Sequence, residues 1–218
     1  MTVSPARASA ERELVVLVHG LWMSGMVFAL LARRLRACGF DVVLFSYPSV
    51  TLTLEQNARR LERFVASHPA PQTHFVGHSL GGLVVLSFLA GALDISVGRV
   101  VLLGSPCNGC SAADQLSRTR SGQLLIGRTL PQWRLEDGVT VTSRAQVGAI
   151  AGTHRLGIGS LLVKLAAPND GVVTIDETRI AGLTDHIILP VTHSGMIVSG
   201  RVAQQVCSFL RSGAFNHA

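Results

Sequence analysis

Three side chains stand out for their types and their places in the chain: Ser79, Asp170 and His193. A serine hydroxyl is a poor nucleophile at neutral pH. It becomes a good one when an imidazole within hydrogen-bond reach takes its proton and a carboxylate orients that imidazole. The order nucleophile, acid, histidine is the one that accompanies a serine set in a sharp strand-to-helix turn. Such a turn is written around Ser79. A short apolar run, Phe75-Val76, meets Gly77-His78-Ser79-Leu80-Gly81, a G-x-S-x-G, and Leu80, Leu83, Val84, Leu86 and Leu89 then recur at helical spacing. A strand that turns directly into a helix pinches its backbone, which calls for glycine at Gly77 and Gly81. The helix aims its first N–H groups at negative charge developing beside Ser79. A glycine-rich turn whose serine only caps a helix has the same local pattern, so the motif counts only with partners in reach.

The elements that must position these residues read in strict alternation. Leu14–Val18 is an apolar run of the kind buried on both faces of a parallel sheet, and it ends in His19-Gly20. A helix over 26–38 follows, then a strand over 41–47 stopped by Pro48, then a helix opened by the capping-box spacing Thr53-Leu-Glu-Gln56 and running to His68. The Ser79 turn comes next, and residues 97–104 form a fourth strand. This order implies a parallel sheet of about six strands with helices on both faces and ligands at the carboxyl ends of the strands. A fifth strand over 147–152, the turn Pro168-Asn169-Asp170-Gly171, a sixth strand over 186–191 leading to His193, and a last helix over 198–210 complete it. Asp170 and His193 then lie at the same end of the sheet as Ser79. Asp185 and Asp176 are rival acids, but Asp185 begins a strand at the wrong end and Asp176 lies beyond a β-rich stretch. His78, His154 and His19 are rival bases, read as structural, with His19 bracing the loop after the first strand. From Pro106 to Arg144 the pattern loosens, and the stretch reads as a surface excursion or a small lid over the crevice.

Composition narrows the class. A chain of 218 residues fits one domain, residues 1–218. No apolar run approaches the ~20 residues of a membrane span. The polar start, residues 1–13, has no signal-peptide core, which points to the cytoplasm, or to secretion if a leader has been removed. Net charge is +6, with 18 Arg and one Lys spread along the chain, read as solvated helix faces or as attraction to an anionic membrane surface. Aromatic content of 5% and the lack of a nucleic-acid motif argue against DNA or RNA as partner. Cys107-Asn-Gly-Cys110 has no second pair to complete a metal site, so no metal or other cofactor is expected. All four cysteines, Cys38, Cys107, Cys110 and Cys207, read as ordinary thiols.

Taken together, Leu17-Val18-His19-Gly20, Gly77-His78-Ser79-Leu80-Gly81-Gly82, Gly104-Ser105-Pro106, Asn169-Asp170-Gly171-Val172-Val173 and His193-Ser194-Gly195-Met196 resemble a compact α/β-hydrolase of the lipase/esterase kind. The resemblance implies an α/β-hydrolase fold with little or no cap. It implies Ser79 as nucleophile, His193 as base and then acid, Asp170 as the orienting carboxylate, and the backbone N–H groups of Leu21 and Leu80 as the oxyanion hole. The antiparallel edge strands of larger members are missing. Trp22, Met23, Tyr47 and Met196 are candidates for an acyl pocket. The expected activity is hydrolysis of carboxylic esters, of small molecules or lipids, through an acyl-enzyme. Acyl transfer and thioester cleavage use the same three residues, and a silent binding protein on a hydrolase fold is the rival of another class. Sequence does not specify the oligomeric state.

Overall fold

The computed structural model describes residues 12–91, 95–129, 145–156 and 165–217. Among these residues six strands form one sheet: β1 (Leu14–Val18), β2 (Asp41–Phe45), β3 (Thr73–His78), β4 (Val97–Leu103), β5 (Gln146–Gly152) and β6 (Asp185–Leu189). Their order is β2-β1-β3-β4-β5-β6, and every neighbouring pair is parallel. The chain leaves β1 in one direction for β2 and then crosses back to β3. The loops after β1 and β3 therefore diverge at a topological switch point, where open parallel sheets bind ligands.

Among the described residues the helices are α1 (Ala29–Ala37, entered through a 3-10 turn at Gly25–Phe28), α2 (Leu54–Ala66), α3 (Leu80–Leu89), α4 (Ser111–Ser117), α5 (Arg120–Ile126) and α6 (Gly200–Ser212). The period-2 alternation of β1 explains how the core divides. Val15 and Leu17 join Phe28, Leu31 and Leu35 of the α1 segment and Val202, Val206 and Phe209 of α6. Val16 and Val18 face the other way, onto Leu54 and Leu61 of α2 and Leu83 and Leu86 of α3. The Thr53 capping box closes as expected: its hydroxyl accepts from Gln56 N–H, and the Gln56 side chain accepts from Thr53 N–H. α3 has no polar face, because it lies between the sheet and α2; its residues are buried almost without exception.

The reading of four ordinary thiols is corrected at two positions. Cys38, which caps the C-terminus of α1, is joined by a disulfide to Cys207 of α6, with Cα atoms 6.4 Å apart and a sequence separation of 169. α1 and α6 cover the same face of the sheet, which is what brings the two together. Cys107 and Cys110 remain thiols. In the loosely patterned stretch, residues 106–129 hold the two short helices α4 and α5, which pack on each other; the rest of the 106–144 excursion lies outside the described residues. Among the described residues no helix is long and apolar enough to cross a membrane.

Candidate active site

β3 delivers Ser79 to the switch point in a conformation that few residues adopt. Its backbone sits at φ 54°, ψ −124°, and it and Trp22 are the two non-glycine residues of positive φ among those described. Such geometry costs on the order of 1–3 kcal/mol and persists where surrounding structure enforces it. Here the enforcement is steric. A Cβ at Gly77 would lie 2.5 Å from the Gly82 Cα, one at Gly81 would strike the Val18 carbonyl, and one at Gly82 would strike the Ser105 side chain. The turn can thus press against β1 and the loop after β4 only with hydrogen at these positions. Ser79 N–H donates to the Leu103 carbonyl of β4 at 2.9 Å, fixing the apex from below.

Asp170 and His193 arrive from the loops before and after β6. Asp170 is 1% exposed. One carboxylate oxygen, Oδ2, lies 2.7 Å from His193 Nδ1. The other, Oδ1, accepts from the N–H groups of Val172 and Val173 at 2.9 and 2.8 Å. The backbones are tied as well: His193 N–H donates to the Asp170 carbonyl at 3.0 Å. Gly104, at φ +54°, makes room for this pair, since a Cβ there would come within 2.9 Å of Asp170 Oδ2 and 3.1 Å of His193 Nδ1. With Nδ1–H directed at the carboxylate, His193 keeps its Nε2 lone pair for other work. The rival acids are placed elsewhere. Asp185 opens β6 and accepts from Phe215 N–H and His217, and Asp176 is exposed at the start of a 3-10 turn.

Ser79 and His193 line one cavity of about 220 Å³ together with Gly20, Leu21 and Leu80. Leu80 is the first residue of α3, so its N–H belongs to the helix turn that has no partner within the helix. His19, wholly buried, braces the loop that carries Leu21. Its Nδ1 donates to the Gly20 carbonyl at 2.8 Å, its Nε2 accepts from Tyr47 N–H at 3.2 Å, and the Tyr47 hydroxyl donates to the His19 carbonyl at 2.7 Å. Burial lowers the His19 pKa and keeps the ring neutral in that role. His78 serves similarly: its Nε2 donates to the His193 carbonyl at 3.0 Å, and burial together with the His193 ring 4.7 Å away pushes its pKa down to about 3.

Of the four acyl-pocket candidates, Trp22 and Met23 line the cavity. Tyr47 and Met196 do not, and that expectation is corrected. Tyr47 stacks on His19, centroids 4.4 Å apart, with its hydroxyl engaged below the loop. Met196 is fully buried in the core beneath the Asp170–His193 pair, its sulfur against Gly104. The remaining wall includes residues that the sequence did not assign to a pocket: Cys110, Ala112, Ala113 and Leu116 of the α4 segment, Ile126 of α5, and Val172 and Val173 beside Asp170. Val172 and Val173 could have been found from their adjacency to the acid; the α4 and α5 residues carry no local signal. Burial raises the Cys110 thiol to about 11 and Cys107 further, so both stay protonated at neutral pH.

A parallel sheet of this order, with a strained serine at the turn after β3 and a carboxylate–histidine pair on the loops around β6, defines an α/β-hydrolase. The chain belongs to the alpha/beta hydrolase family, whose model matches residues 15–206. Among solved structures, it is similar to the mature form of the lipase BlEst2 of Bacillus licheniformis at 19% identity, with a TM-score of 0.72 over 93% of this chain and 92% of that one. The metagenomic carboxyl esterase MGS0156 aligns at 19% identity and a TM-score of 0.68, over 85% of this chain and 65% of the other. The esterase EaEST of Exiguobacterium antarcticum aligns at 14% identity and a TM-score of 0.63, over 93% of both. At these identities the likeness is one of fold. No curated protein matches the sequence significantly.

Proposed function

We propose that the protein is a serine hydrolase that cleaves carboxylic esters. Ser79 Oγ attacks the acyl carbonyl while His193 Nε2 takes its proton, and Asp170 holds the imidazole in the productive tautomer. The Leu21 and Leu80 N–H groups stabilise the tetrahedral oxyanion, a contribution of ~2.7–4 kcal/mol per donor in comparable sites. His193 then protonates the leaving alcohol, and water releases the acid from the acyl-enzyme. The observation that carries this reading is the Asp170–His193 contact of 2.7 Å at a cavity that the strained Ser79 also lines. The cavity is mostly apolar in its lining, and at about 220 Å³ it is smaller than the ~300–1,000 Å³ of drug-sized sites, which favours a short acyl group. Residues 1–218 are read as one hydrolase domain, with 106–144 as a small lid or surface excursion.

Two features bear on where it works. The Cys38–Cys207 disulfide favours an oxidising compartment over the reducing cytoplasm that the polar start of the chain suggested. Exposed Trp22, Leu124 and Leu125, with Arg118, Arg120 and Arg128 exposed on the α4–α5 segment, favour a visit to an anionic membrane surface. Trp22 and α5 adjoin, since the indole N–H donates to the Leu125 carbonyl at 2.7 Å.

Fluorophosphonate labelling of the wild type, Ser79→Ala and His193→Ala tests the nucleophile. The wild type is expected to label and both variants to fail; equal labelling of Ser79→Ala sinks the assignment. Turnover of p-nitrophenyl esters of rising chain length, against thioesters and alcohol acceptors, separates ester hydrolysis from thioester cleavage and acyl transfer.

A further inference from the structure

Glu177 is a buried acid that the proposed chemistry does not use. It is 6% exposed, in the 3-10 turn Asp176–Thr178 that follows the Asp170 loop. Its Oε1 accepts from Ser111 N–H at 2.5 Å, and its Oε2 accepts from Thr174 N–H at 2.8 Å. Its backbone carbonyl accepts from Asn108 N–H at 2.8 Å. Among the described residues no cation lies within ion-pair distance of it. Burying a carboxylate is costly, and the cost is offset where its oxygens accept hydrogen bonds, as both do here.

The two segments it joins are two walls of the cavity. Ser111 is the first residue of α4, whose Ala112, Ala113 and Leu116 face the cavity. Thr174 ends the loop that brings Val172 and Val173 to the same cavity and Asp170 to His193. α4 has only seven residues and could not hold its position by its own helical bonds. Among the described residues no other side chain bonds both walls through charge-assisted hydrogen bonds.

We propose that Glu177 is a positioning residue that sets the spacing between α4 and the Asp170 loop, and through it which acyl chains the cavity accepts. The proposal rests on the reading of this cavity as the acyl site. A glutamine at 177 keeps the shape but offers one oxygen and one NH₂ to two N–H groups, so one tie opens. Ser111→Pro opens the Ser111 tie from the other side, because proline lacks the N–H and is well accommodated at the first position of a helix.

The test compares wild type, Glu177→Gln and Ser111→Pro by kcat and KM on p-nitrophenyl acetate, butyrate and octanoate. Butyrate affinity is measured in parallel by calorimetry in a Ser79→Ala background, which needs no turnover. Both variants are expected to raise KM for the preferred ester about tenfold with kcat within about threefold, and to shift butyrate affinity by a similar factor. An unchanged chain-length profile and unchanged butyrate affinity, with only a lowered melting temperature, would make Glu177 a staple and overturn the proposal. A fall in kcat that is equal for every ester, at constant KM, would do the same by pointing to the Asp170–His193 pair. If the wild type turns over no ester, the hydrolase reading fails, while the butyrate comparison still decides for or against Glu177. A protein that does not bind butyrate with Glu177 and Ser111 intact refutes the acyl cavity, and the proposal with it.

Discussion

Asp170→Asn isolates the role assigned to the acid. The carboxylate is fully committed: Oδ1 accepts from Val172 and Val173 N–H at 2.9 and 2.8 Å, and Oδ2 faces His193 Nδ1 at 2.7 Å. Asparagine fits the same space, which matters because Gly104 and Gly152 leave none to spare. Its oxygen must stay on the two valine N–H groups, since turning the amide over would bring NH₂ against both. The NH₂ then points at His193 Nδ1 and makes that nitrogen the acceptor. The imidazole proton moves to Nε2, the atom that should receive the Ser79 proton. A serine triad frozen in the wrong tautomer loses about 10⁴ in kcat, equivalent to ~5.5 kcal/mol of barrier. Stability should change by only ~1 kcal/mol, because every hydrogen bond keeps a partner. Asp170→Ala, by contrast, strands two N–H groups at ~1–3 kcal/mol each, a large share of a typical ~5–15 kcal/mol margin, and would confuse folding with catalysis. Ester turnover, fluorophosphonate labelling rate and thermal melting of Asp170→Asn form the assay. A variant that melts normally and retains more than a tenth of wild-type activity would refute the role given to Asp170.

Two further outcomes concern stability. Closing a 169-residue separation by the Cys38–Cys207 bond is worth up to ~5 kcal/mol in a chain-entropy estimate; calorimetry with and without reductant should show a fall of roughly 10–20 °C in Tm, and an unchanged Tm would mean that α1 and α6 hold each other without it. Acid should also destabilise the fold, because burial pushes His78 down to about 3 and His186 to about 4, in both cases below the unfolded value near 6.5. A depressed histidine pKa gives stability that is complete above ~6.5 and is lost as pH falls toward the folded value. For His78 alone the loss is roughly 3 kcal/mol by about pH 4; urea unfolding at descending pH checks it, and a flat stability between pH 7 and 4 would contradict the neutral, buried His78.

What could be read from the sequence divides along a physical line. Wherever a short stretch is subject to hard sterics or simple periodicity, local residues suffice. The runs Leu14–Val18 and Phe75-Val76 admit little besides buried strands, and around Ser79 Gly77 and Gly81 are forced by backbone contact and Gly82 by the Ser105 side chain. The meeting of Asp170 and His193 was legible because each follows or precedes a strand at the end where parallel sheets present their loops. The Cys38–Cys207 pairing was not legible, because it depends on α1 and α6 covering one face of the sheet, and nothing near either cysteine records that. Tyr47 and Met196 were misplaced for a related reason: an apolar residue at a strand end does not reveal which way it turns, and here the His19 carbonyl holds the one while the core takes the other. α4 and α5 escaped because seven residues span fewer than two full turns, too few for a 3.6-residue period to show. The consequence is functional. The groups assigned to bond breaking lie in locally determined turns. The walls around them, formed by α4, α5 and the Val172-Val173 loop and joined through Glu177, depend on contacts between distant segments. Substrate choice in this chain should therefore respond to substitutions at positions such as Glu177 and Ser111, which no motif marks, while the chemistry responds only at the positions that motifs do mark.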